Sequence, residues 1–387
     1  MTQRLSAALR ELAATPRGEH PVLSIYLDLS VDNTGQRQAM AALDRELARC
    51  SAELAERGPA RDSFEADRAR LQTYLAGELP GDARGVAIFA SSGAGLWGAI
   101  PLLVPLETAV ACDTMPHLFQ LARAIEDNET YVIAVAEGQQ AQIFVLSPET
   151  IEQVDNTVAR ESVGRTQVGG WSQLRYQSHI GYVIQLHMND LATSLQEAVE
   201  RHGARHIVIM TNDAVKGHVR QALPPQLHEL VVEMLPFDRG AEPEALFASL
   251  DPLREEVERK EEEELLGRLE DQLATRGGLA FAGDKDVAMA LLKGQVDTLL
   301  ITPGYSAAGG ECPTCGALRV GQRQKCPYDG SEMRPVDMRE ALVLHTLAQS
   351  GSVEIIGLDG ALEAHGGVAA ILRFRDDVQD EVGAAGA

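Results

Sequence analysis

Two short segments of this chain are near copies of each other: Cys312-Pro313-Thr314-Cys315-Gly316 and Cys326-Pro327-Tyr328-Asp329-Gly330. A chain carrying this pair is constrained to fold there as two tight turns that face each other. In each turn two ligand-type residues stand three positions apart, close enough to grip one ion. The glycine that follows lets the turn tighten, so that backbone N–H groups approach the sulfurs. Two such turns make a tetrahedral site from Cys312, Cys315, Cys326 and Asp329. Carboxylate oxygen also ligates Zn²⁺, so the expectation is a structural zinc held by three thiolates and one carboxylate. The bland alternative is a ribbon that keeps its turns and has lost its metal. No H-E-x-x-H and no deaminase-type H-x-E stands beside the cysteines, which argues against a catalytic metal. A ribbon of roughly 25 residues cannot build its own core, so its role is to staple a hairpin or present it to a partner.

The other two of the five cysteines, Cys50 and Cys112, are isolated and read as buried and inert. Clustered cysteines in a chain with no secretory signal suggest metal before disulfide. The N-terminus lacks a long apolar core and a small-residue cleavage site, so the expected location is cytoplasmic. The longest apolar runs, such as Val132-Ile133-Ala134-Val135-Ala136, are strand-sized and too short to cross a membrane. With 387 residues the chain is too long for one ordinary core. Its formal charge of −23 opposes non-specific nucleic-acid binding, DNA included, but permits a local basic site.

Such a site is visible around Gly164–Gln177, which reads as an exposed loop. Between Arg160 and His187 the fully charged residues are Arg160, Arg165, Arg175 and the single acid Glu161, a net of +2. Gly169 and Gly170 stand side by side, with Trp171, Gln173, Arg175 and Tyr176 after them. The acids gather elsewhere, most densely at Glu261-Glu262-Glu263-Glu264, which reads as a solvated helix face.

The pattern along the chain is mixed α/β in three domains, 1–127, 128–262 and 263–387. In the first, Val22–Asp28, Gly85–Phe89 and about Leu96–Leu103 read as strands. Helices are expected over about Arg37–Glu56, Ser63–Glu78 and Met115–Glu126. In the second, a hairpin over Tyr131–Glu137 and Gln140–Leu146 precedes the glycine loop. A long helix over about His179–His202 follows it, then a strand at Arg205–Met210 and helices over Ala214–Ala222 and Pro225–Val231. His179 and His187 read as surface or packing residues of that long helix. A charged helix over Glu244–Thr275 leads into the third domain. There Asp284–Lys293 is helical, with Gly294 as its C-cap. Val296–Ile301 is a strand, Met338–Ser350 a helix, and Val353–Ile356 and Ile371–Phe374 are strands. The cysteine insert occupies about 309–335.

Gly278-Leu279-Ala280, the helix Asp284–Lys293, Gly294 to Ile301, Gly351 to Ile356 and Gly366 to Phe374 together resemble domain 3 of the archaeo-eukaryotic class-1 release factor and Pelota superfamily. A zinc ribbon inserted between those blocks is known in archaeal members. The middle domain is similar to that family's central, RNase-H-like domain, in which a loop carries a Gly-Gly-Gln motif into the ribosomal peptidyl-transferase centre. The likeness covers roughly Thr130–Arg375 and fits a bacterial branch. Residues 1–127 do not resemble the codon-reading domain and hold no Asn-Ile-Lys-Ser motif. The family places Gln directly after Gly-Gly; here Trp171 and Ser172 intervene before Gln173.

The resemblance implies a substrate, the ester joining a nascent peptide to the 3′ end of tRNA. It implies that Gly169, Gly170 and Gln173 act on that ester. A glutamine amide does not titrate near neutral pH, so its useful parts are a backbone N–H and an amide that orients water. The substrate's ribose hydroxyls and rRNA would then carry the proton. Arg165 and Arg175 are candidates for phosphate contacts, and Trp171 and Tyr176 for stacking on exposed bases. The implied partners are the ribosome, through rRNA and peptidyl-tRNA, and a translational GTPase. Two activities fit: a codon-independent peptidyl-tRNA hydrolase that frees stalled ribosomes, or a non-catalytic factor that occupies the A site during stress or hibernation. A scaffold unrelated to the ribosome is a third reading, which the acidic charge favours. No P-loop, G-x-S-x-G or G-x-G-x-x-G is present to support an NTPase, a serine hydrolase or a dehydrogenase.

Overall fold

A computed structural model describes residues 3–18, 20–30, 39–158, 171–236, 249–321, 325–358 and 360–376. After a helix α1 (Gln3–Ala13), the chain begins a sheet of β1 (Val22–Asp28), β2 (Gly85–Ser91), β3 (Leu96–Leu102) and β4 (Ala109–Asp113), in the order β3-β2-β1-β4 and antiparallel throughout. Helices α2 (Ala39–Glu53) and α3 (Pro59–Gly77) cover one face through Leu43, Leu47, Phe64 and Leu71. Cys50 is buried in that cluster and Cys112 packs against it. Helix α4 (Phe119–Glu126) closes this part.

Two compact units make up the chain. One joins Met1–Ser6 to Asn128–Arg254; the other joins Ala7–Asp127 to Glu255–Ala387. In the first, β5 (Tyr131–Ala136), β6 (Gln140–Leu146) and β7 (Ile151–Val158) form an antiparallel meander. Helix α5 (Trp171–His202) then leads to β8 (His206–Thr211), α6 (Asp213–Ala222), α7 (Pro225–Leu230) and β9 (Val231–Pro236). The sheet order is β7-β6-β5-β8-β9, with β8 parallel to both β5 and β9. This is the RNase-H-like arrangement expected from the sequence. Strand β5 is buried on both faces, as a central strand must be. Val132, Ala134 and Ala136 meet Leu191, Leu195 and Val219 from α5 and α6, while Ile133 and Val135 pack with Phe144, Val208 and Leu250 on the other side.

In the second unit, α8 (Asp251–Ala274) runs into β10 (Ala280–Ala282), α9 (Asp284–Leu292) and β11 (Val296–Ile301). Gly294 ends α9 as expected: its φ is 67°, and the N–H of Gln295 reaches back to the Ala290 carbonyl at 2.9 Å. The insert follows as β12 (Ala308–Glu311), β13 (Leu318–Val320) and β14 (Arg334–Asp337), an antiparallel ribbon in the order β13-β12-β14. Then come α10 (Met338–Ala348), β15 (Ser352–Ile355) and β16 (Val368–Leu372), completing a sheet ordered β10-β16-β11-β15.

Helix α4 is tied to this C-terminal part at both of its ends. The Phe119 N–H donates to the buried Glu340 carboxylate of α10 at 3.0 Å, and the Ile355 N–H of β15 donates to Glu126 at 3.2 Å. Burial, with the charges of Glu354 and Asp127 beside it, raises the Glu126 carboxyl to about 10. Among the described residues no helix is long and apolar enough to cross a membrane.

Candidate functional site

The two cysteine turns fold as near copies. In the first, the Gly316 N–H donates to the Cys312 carbonyl at 3.0 Å and the Cys312 N–H to Ala317 at 2.9 Å. In the second, the Gly330 N–H donates to Cys326 at 3.0 Å and the Cys326 N–H to Ser331 at 2.8 Å. Gly316 and Gly330 both sit at φ 74°, the left-handed region that these turns require. Repeating the pentapeptide therefore repeats the turn.

The side chains of Cys312, Cys315, Cys326 and Asp329 converge, their ligand atoms all within 4.8 Å of one another. Cys312 Sγ lies 3.3 Å from Asp329 Oδ2, and Cys315 Sγ lies 3.5 Å from Cys326 Sγ. The N–H groups of Thr314 and Cys315 point at Cys312 Sγ, each at 3.4 Å. Desolvation pushes the Cys312 thiol up, but these N–H groups together with hydrogen bonds from Cys315 and Cys326 hold it below its ordinary value. The Ser331 N–H holds the Asp329 carboxylate at about 2, so it is an anion at any ordinary pH. Desolvation raises Cys326 to about 11. Three sulfurs and one carboxylate in this arrangement fit a four-coordinate metal ion.

A buried polar contact that the sequence did not disclose supports the first turn. Glu311, the residue before Cys312, accepts from His345 of α10 at 3.0 Å and is ion-paired with Arg17. Burial, helped by the Arg17 charge, lowers His345 to about 4, so its ring is neutral and donates from Nε2. These contacts fix the end of β12, and with it the direction in which Cys312 enters the turn.

In the other unit, the residues expected to act around Gly-Gly fall partly in α5. Arg165, Gly169 and Gly170 are outside the described residues. Trp171, Gln173, Arg175 and Tyr176 belong to the first turns of α5, which begins at Trp171 rather than near His179. The loop expected to reach Gln177 is thus helical over its second half. Trp171–Ser178 contains no Gly or Pro, and Gln, Leu and Arg are good helix formers, so local propensity suffices once the glycines are passed. Further along α5, His187 is buried, 2% exposed, and so is a packing residue, one of the two readings expected of it. Burial lowers its pKa. The outer face carries Tyr182 and Leu186, both exposed.

Residues 116–255 match the family described as Bacterial archaeo-eukaryotic release factor family 10. Peptide chain release factor subunit 1 of Archaeoglobus fulgidus is 27% identical over 291 residues, covering 69% of this chain and 70% of that protein. Its counterpart in Thermoplasma acidophilum is 29% identical over 304 residues, with 69% and 70% covered. Over that span the chain is similar to archaeal release factors, and residues 116–255 match a bacterial family of the archaeo-eukaryotic release factor type. The family match takes in Asn128–Arg254, the stretch that carries α5. Among solved structures, an archaeal translation termination factor aRF1 is similar at 17% identity over 97% of this chain and 99% of that one, with a TM-score of 0.26.

Proposed function

We propose that this chain is a ribosome-associated release or rescue factor that hydrolyses the peptidyl-tRNA ester without reading a codon. The observation that carries the reading is the position of Gln173 in the first turn of α5, just after Gly169-Gly170 in the sequence. First-turn N–H groups have no acceptor inside their own helix and carry the positive end of its dipole. Such donors suit the oxyanion that develops when water adds to an ester carbonyl. The water oxygen bonds to the carbonyl carbon, the bond to the tRNA 3′ oxygen breaks, and the proton from water ends on that 3′ oxygen. Gln173 orients the water and does not take the proton, which passes through the substrate's ribose hydroxyls and rRNA. The glycine pair lets the backbone come close. Arg165 and Arg175 contact phosphates, and Trp171 and Tyr176 stack on bases.

The similarity to proteins named peptide chain release factor subunit 1 supports the reading. So does the absence of Asn-Ile-Lys-Ser from residues 1–127, which speaks for codon independence. The functional division is then 1–127 of separate role, 128–262 carrying the ester chemistry, and 263–387 for a translational GTPase partner, with a structural Zn²⁺ in the ribbon. A second reading, a silent occupant of the A site, is favoured by Trp171 and Ser172 standing between the glycines and Gln173. Both readings require ribosome binding. Co-sedimentation with ribosomes over a range of salt is expected, weakening as salt rises. Failure to pellet even at low salt would sink both.

A further inference from the structure

Between α9 and the ribbon lies an open cavity of about 440 Å³, large enough to seat a ligand. Its wall is mostly apolar, built from Met289 and Leu292 of α9, Leu318 of β13 and Pro327 of the second cysteine turn. Val320 and Tyr328 line it while 37% and 55% exposed, an uncommon state for large apolar side chains grouped together. The Tyr328 hydroxyl donates to Met289 Sδ at 3.2 Å, joining the second cysteine turn to α9.

The charged residues lining the cavity are Lys285 and Arg319, both exposed cations. That is notable in a chain with 57 acids against 34 lysines and arginines. From Pro313 to Tyr328 the sequence has no Asp or Glu but contains Arg319, Arg323 and Lys325; Arg323 lies outside the described residues. Asp284 and Asp286 flank Lys285 on α9 without lining the cavity, and Asp329 is committed to the cysteine turns. On α9, Lys285, Met289 and Leu292 recur at the spacing of one helix face, so a cation stands at one end of an apolar stripe.

We propose that this groove receives a short, extended, acidic peptide segment of a partner protein, with apolar side chains as anchors. The apolar stripe takes the anchors, and Lys285 and Arg319 meet the carboxylates. Exposed cations at a rim speed and orient encounter more than they tighten the final complex. A single nucleic-acid strand fits less well, because a phosphate backbone needs a track of cations and this wall is mostly apolar. The inference does not depend on the chain acting at the ribosome.

The probe is a fluorescein-labelled peptide of alternating leucine and glutamate, titrated with the full chain and followed by anisotropy. A peptide with lysine in place of glutamate is the control. Expected are binding of the acidic peptide, none of the basic one, and weakening by about ten-fold or more in Lys285→Glu and Arg319→Glu. Unchanged thermal melting of both variants would show that they fold. The proposal is overturned if the two peptides bind equally, if both variants bind like wild type, or if an oligouridylate binds the groove in preference to the peptide. It is also overturned if peptide binding appears only after residues 377–387 are deleted. The acids Asp377, Asp380 and Glu381 of this chain would then be the natural occupant.

Discussion

Cys312 Sγ stands 3.3 Å from Asp329 Oδ2, joining the first ligand position of one cysteine turn to the second ligand position of its copy. The carboxylate therefore sits where a fourth thiolate would complete the set. Asp329→Cys is expected to bind Zn²⁺ more tightly than wild type, and Asp329→Ala more weakly by at least the roughly 10–100-fold that losing a mere hydrogen-bonding neighbour of a ligand costs. Competition against a chromogenic chelator measures the order. Equal affinity of all three proteins would remove Asp329 from the site.

Glu126 gives a pH-dependent expectation. Its carboxyl is raised from 4.5 to about 10, chiefly by burial. The folded state therefore holds this proton more tightly than the unfolded chain does. Stability is fully present below the unfolded value of about 4.5 and is lost as pH rises toward about 10. Glu126→Gln keeps an acceptor for the Ile355 N–H and removes the titration. The variant is expected to be more stable than wild type by about 1–3 kcal/mol at neutral pH, with the gap closing in acid. Urea denaturation across pH measures both the gap and its slope.

His187 has the opposite slope. Its pKa is lowered by burial, so the unfolded chain takes up the proton more readily. The stability tied to it is present above the unfolded value near 6.5 and is lost as pH falls below it. His187→Met, which keeps an apolar side chain of similar size in the buried position, is expected to flatten the acid limb of the stability curve. An unchanged acid limb would mean that other groups set it.

Much of the fold is legible in the sequence because the central strands are dense in Ile and Val. Strands β1, β5, β6, β8 and β11 stand within a residue or two of where the pattern puts them. The missed elements are those whose stability comes from partners. Strand β7 is Ile-Glu-Gln-Val-Asp-Asn-Thr-Val, polar and on an edge, and only its pairing with β6 makes it a strand. Strand β9 shares only Val231 with the helix expected there, and its other residues show no strand pattern until they pair with β8. Helix α1 did carry a signal, with Leu5, Leu9 and Leu12 at helical spacing and all buried.

The candidate metal site follows the same logic. Its four candidate ligands are visible because a turn repeats in sequence. Glu311, His345 and Arg17, which fix the first turn, come from distant segments and have no common spacing. The start of α5 is hard to read because Gly169-Gly170 stand just before it in the sequence, and a glycine pair suggests a loop on both of its sides.

The most direct test of the central claim is peptide release from purified stalled ribosome–nascent-chain complexes, with ribosome pelleting followed in parallel. The wild-type chain is expected to free the labelled peptide. Gln173→Ala is expected to bind the ribosome unchanged and to lose release by about a hundred-fold or more, as when an oriented donor is removed from an acyl-transfer site. Release by Gln173→Ala at the wild-type rate, or wild-type binding with no release at all, would contradict the account.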